Sequence, residues 1–132
     1  MKIIVCLDDR NGMLFGGRRQ SKDSMLRARV LDMVAEDLLW MNGYSAGQFE
    51  EADCIRCDEA FLEKAGAEDY CFVENADITP YWDRIDGVIV YRWNRHYPAD
   101  VTFSIPDHWR LAGTEEFPGS SHELITEERY ML

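Results

Sequence analysis

Along this chain the apolar rhythm changes once, and that change limits the folds open to it. In the first half, runs of strand length alternate with helical periods. "IIVCL" at 3–7 is rich in β-branched residues and has the length of a buried strand. From about Ser21 to Asp37, Leu26, Val30 and Val34 recur every four residues, which is a helical face, with Ser21 or Asp23 placed to cap it. "LLWMN" at 38–42, "DCIRC" at 53–57 and "DYCFVEN" at 69–75 read as strands, with a brief helix in "DEAFLEKAG" that ends at Gly66. In the second half, strands follow one another: "GVIVYRWNRHYP" starts a long one, and "DVTFSI" at 100–105 continues or pairs with it. "HWRLAGTEEF" and "ELITEERYML" are joined by the turn "PGSS". This order predicts one α/β domain over 1–132, a mixed sheet flanked by helices, parallel early and antiparallel at the C-terminus.

Composition narrows the class. A hydrophobic share of 46% excludes a disordered chain. No apolar run reaches the roughly 18–20 residues of a membrane span, and "MKIIVCLDDR" is too short an apolar stretch for a secretory signal. A cytoplasmic protein with no membrane partner is expected, its four cysteines reduced. "CIRC" at 54–57 has the spacing of half a zinc site, but residues three apart on a strand face opposite ways and two further ligands are missing, so no metal is expected. The net charge of -11 argues against nucleic acid, whose binding depends on neutralising phosphates. The basic residues are nonetheless concentrated: seven of the fourteen lie in the first 29 positions, beside only three of the 25 acids.

Several strings, taken in order, resemble dihydrofolate reductases over most of the chain. "IIVCLDDRNGM" is similar to that family's first strand and following loop, and "LLWMNGYS" to its second strand and phosphate-binding turn. "VIVYRWNRHYPADVTFSIPDHWRLAGTEEFPGSSHELITEERY" is similar to its long strand, its return, a Trp opening the next strand and a Ser-His before the last. The resemblance implies that fold, and implies that Asp23, near the start of the first long helix, is the carboxylate that meets a pterin ring.

The departures from that pattern gather on the cofactor side. "RRQSK" stands where the family has Pro-Trp and Leu-Pro, and Asn42-Gly43-Tyr44-Ser45 where it has Gly-Arg-x-Thr. Ser45 keeps a hydroxyl, but the arginine that favours a 2′-phosphate is gone. Glu74 and Asn75 replace a Gly-Gly pair at which the backbone approaches a pyrophosphate, and Tyr91 replaces the threonine that accompanies the catalytic carboxylate. Ordinary NADPH-dependent reduction is therefore not expected, and no cofactor is assigned.

What remains points to a ligand. "NGMLFGGRRQSKD" at 11–23 combines the Gly16-Gly17 pair, forked arginine donors and a helix start, a combination suited to an anion. A small anionic or nucleotide-like molecule is expected beside Asp23, with Arg18, Arg19, Gln20 and Ser45 as contacts and Asp23 and Tyr91 as candidate catalytic groups. Asp23, Ser45 and Tyr91 are expected to converge on one pocket, with Arg18 and Arg19 at its rim. Asp23 as a plain helix cap is the competing reading. In "YRWNRHY", alternation would set Tyr91, Trp93, Arg95 and Tyr97 on one face, a half-buried strand surface or a stacking surface.

His96, His108 and His122 are dispersed, and the His-x-His-x-Asp-His motif of the ribonuclease Z family is absent. Ser121 and His122, adjacent on an extended strand, would face opposite ways and form no nucleophile–base pair. The reading from another class is a structural or interaction module, such as a homodimer packed through "YRWNRHYP" or the helix at 22–37.

Overall fold

The computed structural model describes residues 1–49, 52–53 and 55–132. Among the described residues, ten strands and three α-helices occur in the order β1 (Lys2–Leu7), β2 (Gly12–Phe15), β3 (Arg18–Arg19), α1 (Ser24–Val34), β4 (Leu39–Met41), α2 (Gly43–Ala46), β5 (Ile55–Cys57), α3 (Phe61–Lys64), β6 (Tyr70–Phe72), β7 (Gly87–Arg92), β8 (Val101–Thr102), β9 (Arg110–Phe117) and β10 (Ile125–Met131). Seven strands form the central sheet in the order β5-β4-β6-β1-β7-β10-β9. The five early strands are parallel; β10 runs antiparallel to β7, and β9 antiparallel to β10. The architecture is the expected α/β mixed sheet, with the parallel-to-antiparallel change where the rhythm changes.

β1 is the axis of the sheet, paired on both edges, with Lys2 opposite Tyr70 on one side and Gly87 on the other. Its side chains alternate between two cores, as the period of two requires. Ile3, Val5 and Leu7 join Val88, Val90, Phe61, Leu62 and Trp109 on one face. Ile4 joins Ile89, Tyr91, Phe72 and the inner stripe of α1, Leu26, Val30 and Val34, on the other. Both faces are covered, so β1 tolerates almost no polar residue.

Several local expectations shift. The segment after Asn11 is not a loop but a hairpin, β2 to β3, closed by Gly16 at φ 60° and Gly17 at φ 75°. Two successive positive φ values are what a two-residue hairpin turn matching strand twist needs, and glycine adopts them without strain. The hairpin and β8, which pairs with β2, form a small second sheet. The helix from Ser21 narrows to Ser24–Val34, because Asp23 is extended at φ -153° and Ala35 breaks the far end at φ 52°. The long strand from Gly87 stops at Arg92, shortly before Asn94 at φ 58°. Tyr91 and Trp93 still share the buried face, but Arg95 is exposed beyond the strand. Cys6, Cys57 and Cys71 are free thiols, and Cys54 of the "CIRC" pair lies outside the described residues. Among the described residues no helix is long and apolar enough to cross a membrane.

Candidate functional site

The connections place a crevice between β1 and β6. From β1 the chain passes over β6 to reach β4, whereas from β6 it passes over β1 to reach β7. The two exits diverge to opposite sides of the sheet, and in open α/β sheets a crevice opens outside the strand ends at such a point. A cavity of about 420 Å³ lies there. Met13 and Leu14 from β2, residues 75–79 after β6, Trp82, and residues 101–104 line it. That volume is within the roughly 300–1,000 Å³ of small-molecule sites. Trp82 is tilted against both Phe103 and Trp109, which gives the cavity an aromatic wall.

Beside this cavity, across Met13, stands an ion pair. Arg19 Nε donates to Glu74 Oε2 at 2.8 Å and Arg19 Nη2 to Glu74 Oε1 at 3.1 Å, the forked geometry that guanidinium and carboxylate favour. Tyr44 completes the clamp: its Oη accepts from Arg19 N at 2.7 Å, and its ring lies 4.3 Å beneath the guanidinium carbon. Glu74 is buried, and Arg19 keeps a quarter of its side chain exposed. Asn42 Nδ2 donates to Asn75 Oδ1 at 2.7 Å, tying the turn after β4 to the turn after β6. Burial first, and then the Glu74 charge, push the neighbouring Cys6 thiol well above its usual range.

Two buried side-chain oxygens among the described residues have no hydrogen-bond partner, Gln20 Oε1 and Ser45 Oγ. Gln20 lines a void of about 10 Å³ together with Cys6, Arg19, Ser21, Glu74 and Trp93. Its Nε2 donates to Asp8 Oδ2 at 3.2 Å. Ser45 is fully buried at the start of α2, where its N–H donates to Asn42 Oδ1.

Asp23 caps α1, accepting from Met25 N at 2.9 Å and Leu26 N at 3.3 Å. It also takes up the turn before β10: Ser120 N and Ser121 N donate to it at 2.9 and 2.8 Å, and His122 Nδ1 lies 3.0 Å from Oδ2. Burial alone would favour the neutral acid, but the Ser120 N–H, His122, the Ser121 N–H and the Leu26 N–H outweigh it, and the carboxyl is held well below the usual range. The His122 ring stacks on Trp93 at 4.5 Å, and its Nε2 faces Tyr97 Oη at 2.9 Å and Ser21 Oγ at 3.3 Å. Because residues 118–124 form a loop and not a strand, Ser121 Oγ does reach the adjacent His122, at 3.2 Å, but on the Nδ1 side that Asp23 already holds.

Tyr91 is buried in the core beneath α1, on the same face of the sheet as that helix. Its Oη donates to Glu127 Oε1 at 2.9 Å, and burial and the Glu127 charge raise its phenol well above the ordinary range. Glu127 in turn accepts from Arg29 Nε at 2.9 Å and from Arg129.

The sequence-predicted residues therefore occupy four places. Arg19 and Gln20 line the 10 Å³ void together with Ser21, while Arg18 is exposed on the hairpin. Asp23 is engaged with His122 and Tyr91 with Glu127, while the Ser45 N–H meets the Asn42 cap of α2 and its hydroxyl oxygen is unpaired. The grouping of Ser21, Tyr97 and His122 around Asp23 was not foreseen. Its only linear trace is a Ser-His pair 99 residues beyond an aspartate.

No protein-family model and no curated protein matches this sequence. Among solved structures, the fold is similar to that of dihydrofolate reductase from Enterococcus faecalis complexed with NADP(H) and RAB-propyl, with a TM-score of 0.65 over 98% of this chain and 94% of that one. The sequences are 9% identical, so the likeness is one of fold.

Proposed function

We propose that this chain is a small-molecule-binding domain that uses the dihydrofolate reductase-like fold without ordinary NADPH-dependent reductase activity. The observation that carries this reading is the 420 Å³ cavity at the diverging ends of β1 and β6, with the Arg19–Glu74 pair standing beside it. The enterococcal reductase is complexed with NADP(H). Here a buried carboxylate occupies the end of β6, where the resemblance calls for a glycine pair. It repels a pyrophosphate, and the Arg19 guanidinium beside it is committed to it.

The ligand class follows from the lining. Trp82, Phe103, Ile78 and Met13 suit a flat ring, and Asn75, Thr79 and Thr102 offer hydrogen bonds around it. An anionic end, as in a nucleoside monophosphate, would point out toward exposed Arg18, because Arg19 is already paired. Thermal-shift measurements against nucleosides, nucleoside monophosphates, pterins and NADPH test this. Stabilisation by a ring compound supports the reading, and stabilisation by NADPH alone opposes it.

One observation favours self-association as a second reading. The edge strand β9 has an exposed face that includes Leu111. Sedimentation at several concentrations distinguishes a dimer from a monomer.

A further inference from the structure

Outside the 420 Å³ cavity, a buried carboxylate, a buried imidazole brought in from the far end of the chain and a partly exposed hydroxyl stand in a line. Asp23 Oδ2 lies 3.0 Å from His122 Nδ1, and His122 Nε2 lies 3.3 Å from Ser21 Oγ. The Asp23 and His122 side chains are 0% and 2% exposed. An ionised carboxylate only accepts, so a neutral His122 carries its proton on Nδ1 and presents the Nε2 lone pair to the hydroxyls. Stacking on Trp93 fixes the ring plane, and the ring is approached edge-on by Tyr97. An orienting carboxylate, a base and a hydroxyl in sequence are what a serine nucleophile requires, and this arrangement is recognised by geometry and not by order in the chain.

We propose that Ser21 is a nucleophile activated by His122 and oriented through Asp23, able to take acyl groups from small activated esters. Ser21 Oγ attacks the ester carbonyl while its proton passes to His122 Nε2. The bond from the carbonyl carbon to the leaving oxygen then breaks, and that oxygen takes the proton from His122. Water attacks the acyl-serine, giving its proton to His122, and the carboxylic acid departs as Ser21 recovers its own. Ser21 is partly exposed; a cavity of about 320 Å³ adjoins His122 and is lined by Trp93, Asn94, Arg95, Glu123 and Leu124, with Ser21 outside its lining, so a substrate reaches the hydroxyl from its solvent side. Tyr97 Oη, at 2.9 Å from the same nitrogen, is the competitor: while it donates to Nε2, Ser21 is a weaker nucleophile.

The test is covalent labelling of the whole chain by a fluorophosphonate, in which a P–O bond to Ser21 forms as P–F breaks and HF leaves, with the modified residue located by peptide mass spectrometry. p-Nitrophenyl acetate turnover is followed in parallel. Labelling at Ser21 is expected, absent in Ser21→Ala and slowed about a hundredfold in His122→Gln, the size of a lost general base. Tyr97→Phe should label faster than the wild type. Because His122→Gln removes buried contacts, the wild-type labelling rate is also measured against pH and should rise as an imidazole loses its proton. A wild type that does not label, a label that survives Ser21→Ala, or a labelling rate that does not rise with pH overturns the proposal. None of Ser21, Asp23 and His122 lines the 420 Å³ cavity that ring compounds report on, so this proposal and the cavity reading can fail separately.

Discussion

Asp23 and His122, 99 residues apart, meet at 3.0 Å with both side chains buried, and the contact fastens the start of α1 to the turn that leads into β10. The same carboxylate caps the helix and accepts the Ser120 and Ser121 N–H groups. Asp23→Ala should therefore cost more than an ordinary cap, about 2–4 kcal/mol when the lost cap and the stranded donors are taken together. Asp23→Asn, which still caps, should cost less. Urea denaturation of the three proteins checks the order, and an alanine variant as stable as the wild type would remove Asp23 from this role.

The same residue sets an acid limit. A carboxyl whose pKa is lowered by folding contributes stability above its unfolded value, about 4, and loses that contribution as pH falls from there toward the folded value. Asp23 is lowered by its N–H donors and His122 against the effect of burial. Asp8 is lowered likewise by the Arg10, Gly12 and Tyr97 N–H groups, and Glu127 by Arg29, Tyr91 and Arg129. Stability should be level above about pH 5 in these terms and decline below pH 4. Asp23→Asn should flatten part of that decline in urea midpoints taken from pH 3 to 6. An unchanged acid slope in the variant contradicts the assignment.

The Arg19–Glu74 pair gives a prediction about anions. Glu74→Gln leaves a partly buried guanidinium without its counter-charge, at a cost of about 1–3 kcal/mol, and frees it for an external one. Inorganic phosphate should raise the melting temperature of Glu74→Gln more than that of the wild type. Equal responses would mean that Arg19 was open to anions from the start.

Tyr91 gives the contrasting case. Its hydroxyl is spent on buried Glu127, so Tyr91→Phe should lose about 1 kcal/mol and leave ring-compound binding and Ser21 labelling intact. Loss of binding at preserved stability would return Tyr91 to the site.

How much of this was legible varies with how local the cause is. β1 was readable because an apolar β-branched run five residues long can be buried on both faces only as a central strand. Asp23 as a cap was readable because the helical stripe begins at Leu26. The hairpin at Gly16-Gly17 was not, since paired glycines suit a tight turn and a flexible loop equally well until β8 supplies a partner for β2. β7 was overestimated because alternation continues past Arg92, while Asn94 turns the backbone out of the strand. The charge on Arg19 looked free because its partner Glu74 lies 55 residues away, and the two come together only when β6 pairs with β1. For the same reason Ser21, Tyr97 and His122 carried no linear sign of a shared site.

The central claim is that the crevice holds a small ring ligand and not NADPH, and calorimetric titration tests it most directly. Nucleoside monophosphates, pterins and NADPH are titrated into the wild type and into Thr102→Trp, which places bulk at an exposed residue of the cavity lining. A saturable heat from a monophosphate or pterin is expected in the wild type, lost in Thr102→Trp, with none from NADPH. Saturable NADPH binding, a monophosphate or pterin heat unchanged in Thr102→Trp, or no heat from any of the three classes would contradict the account.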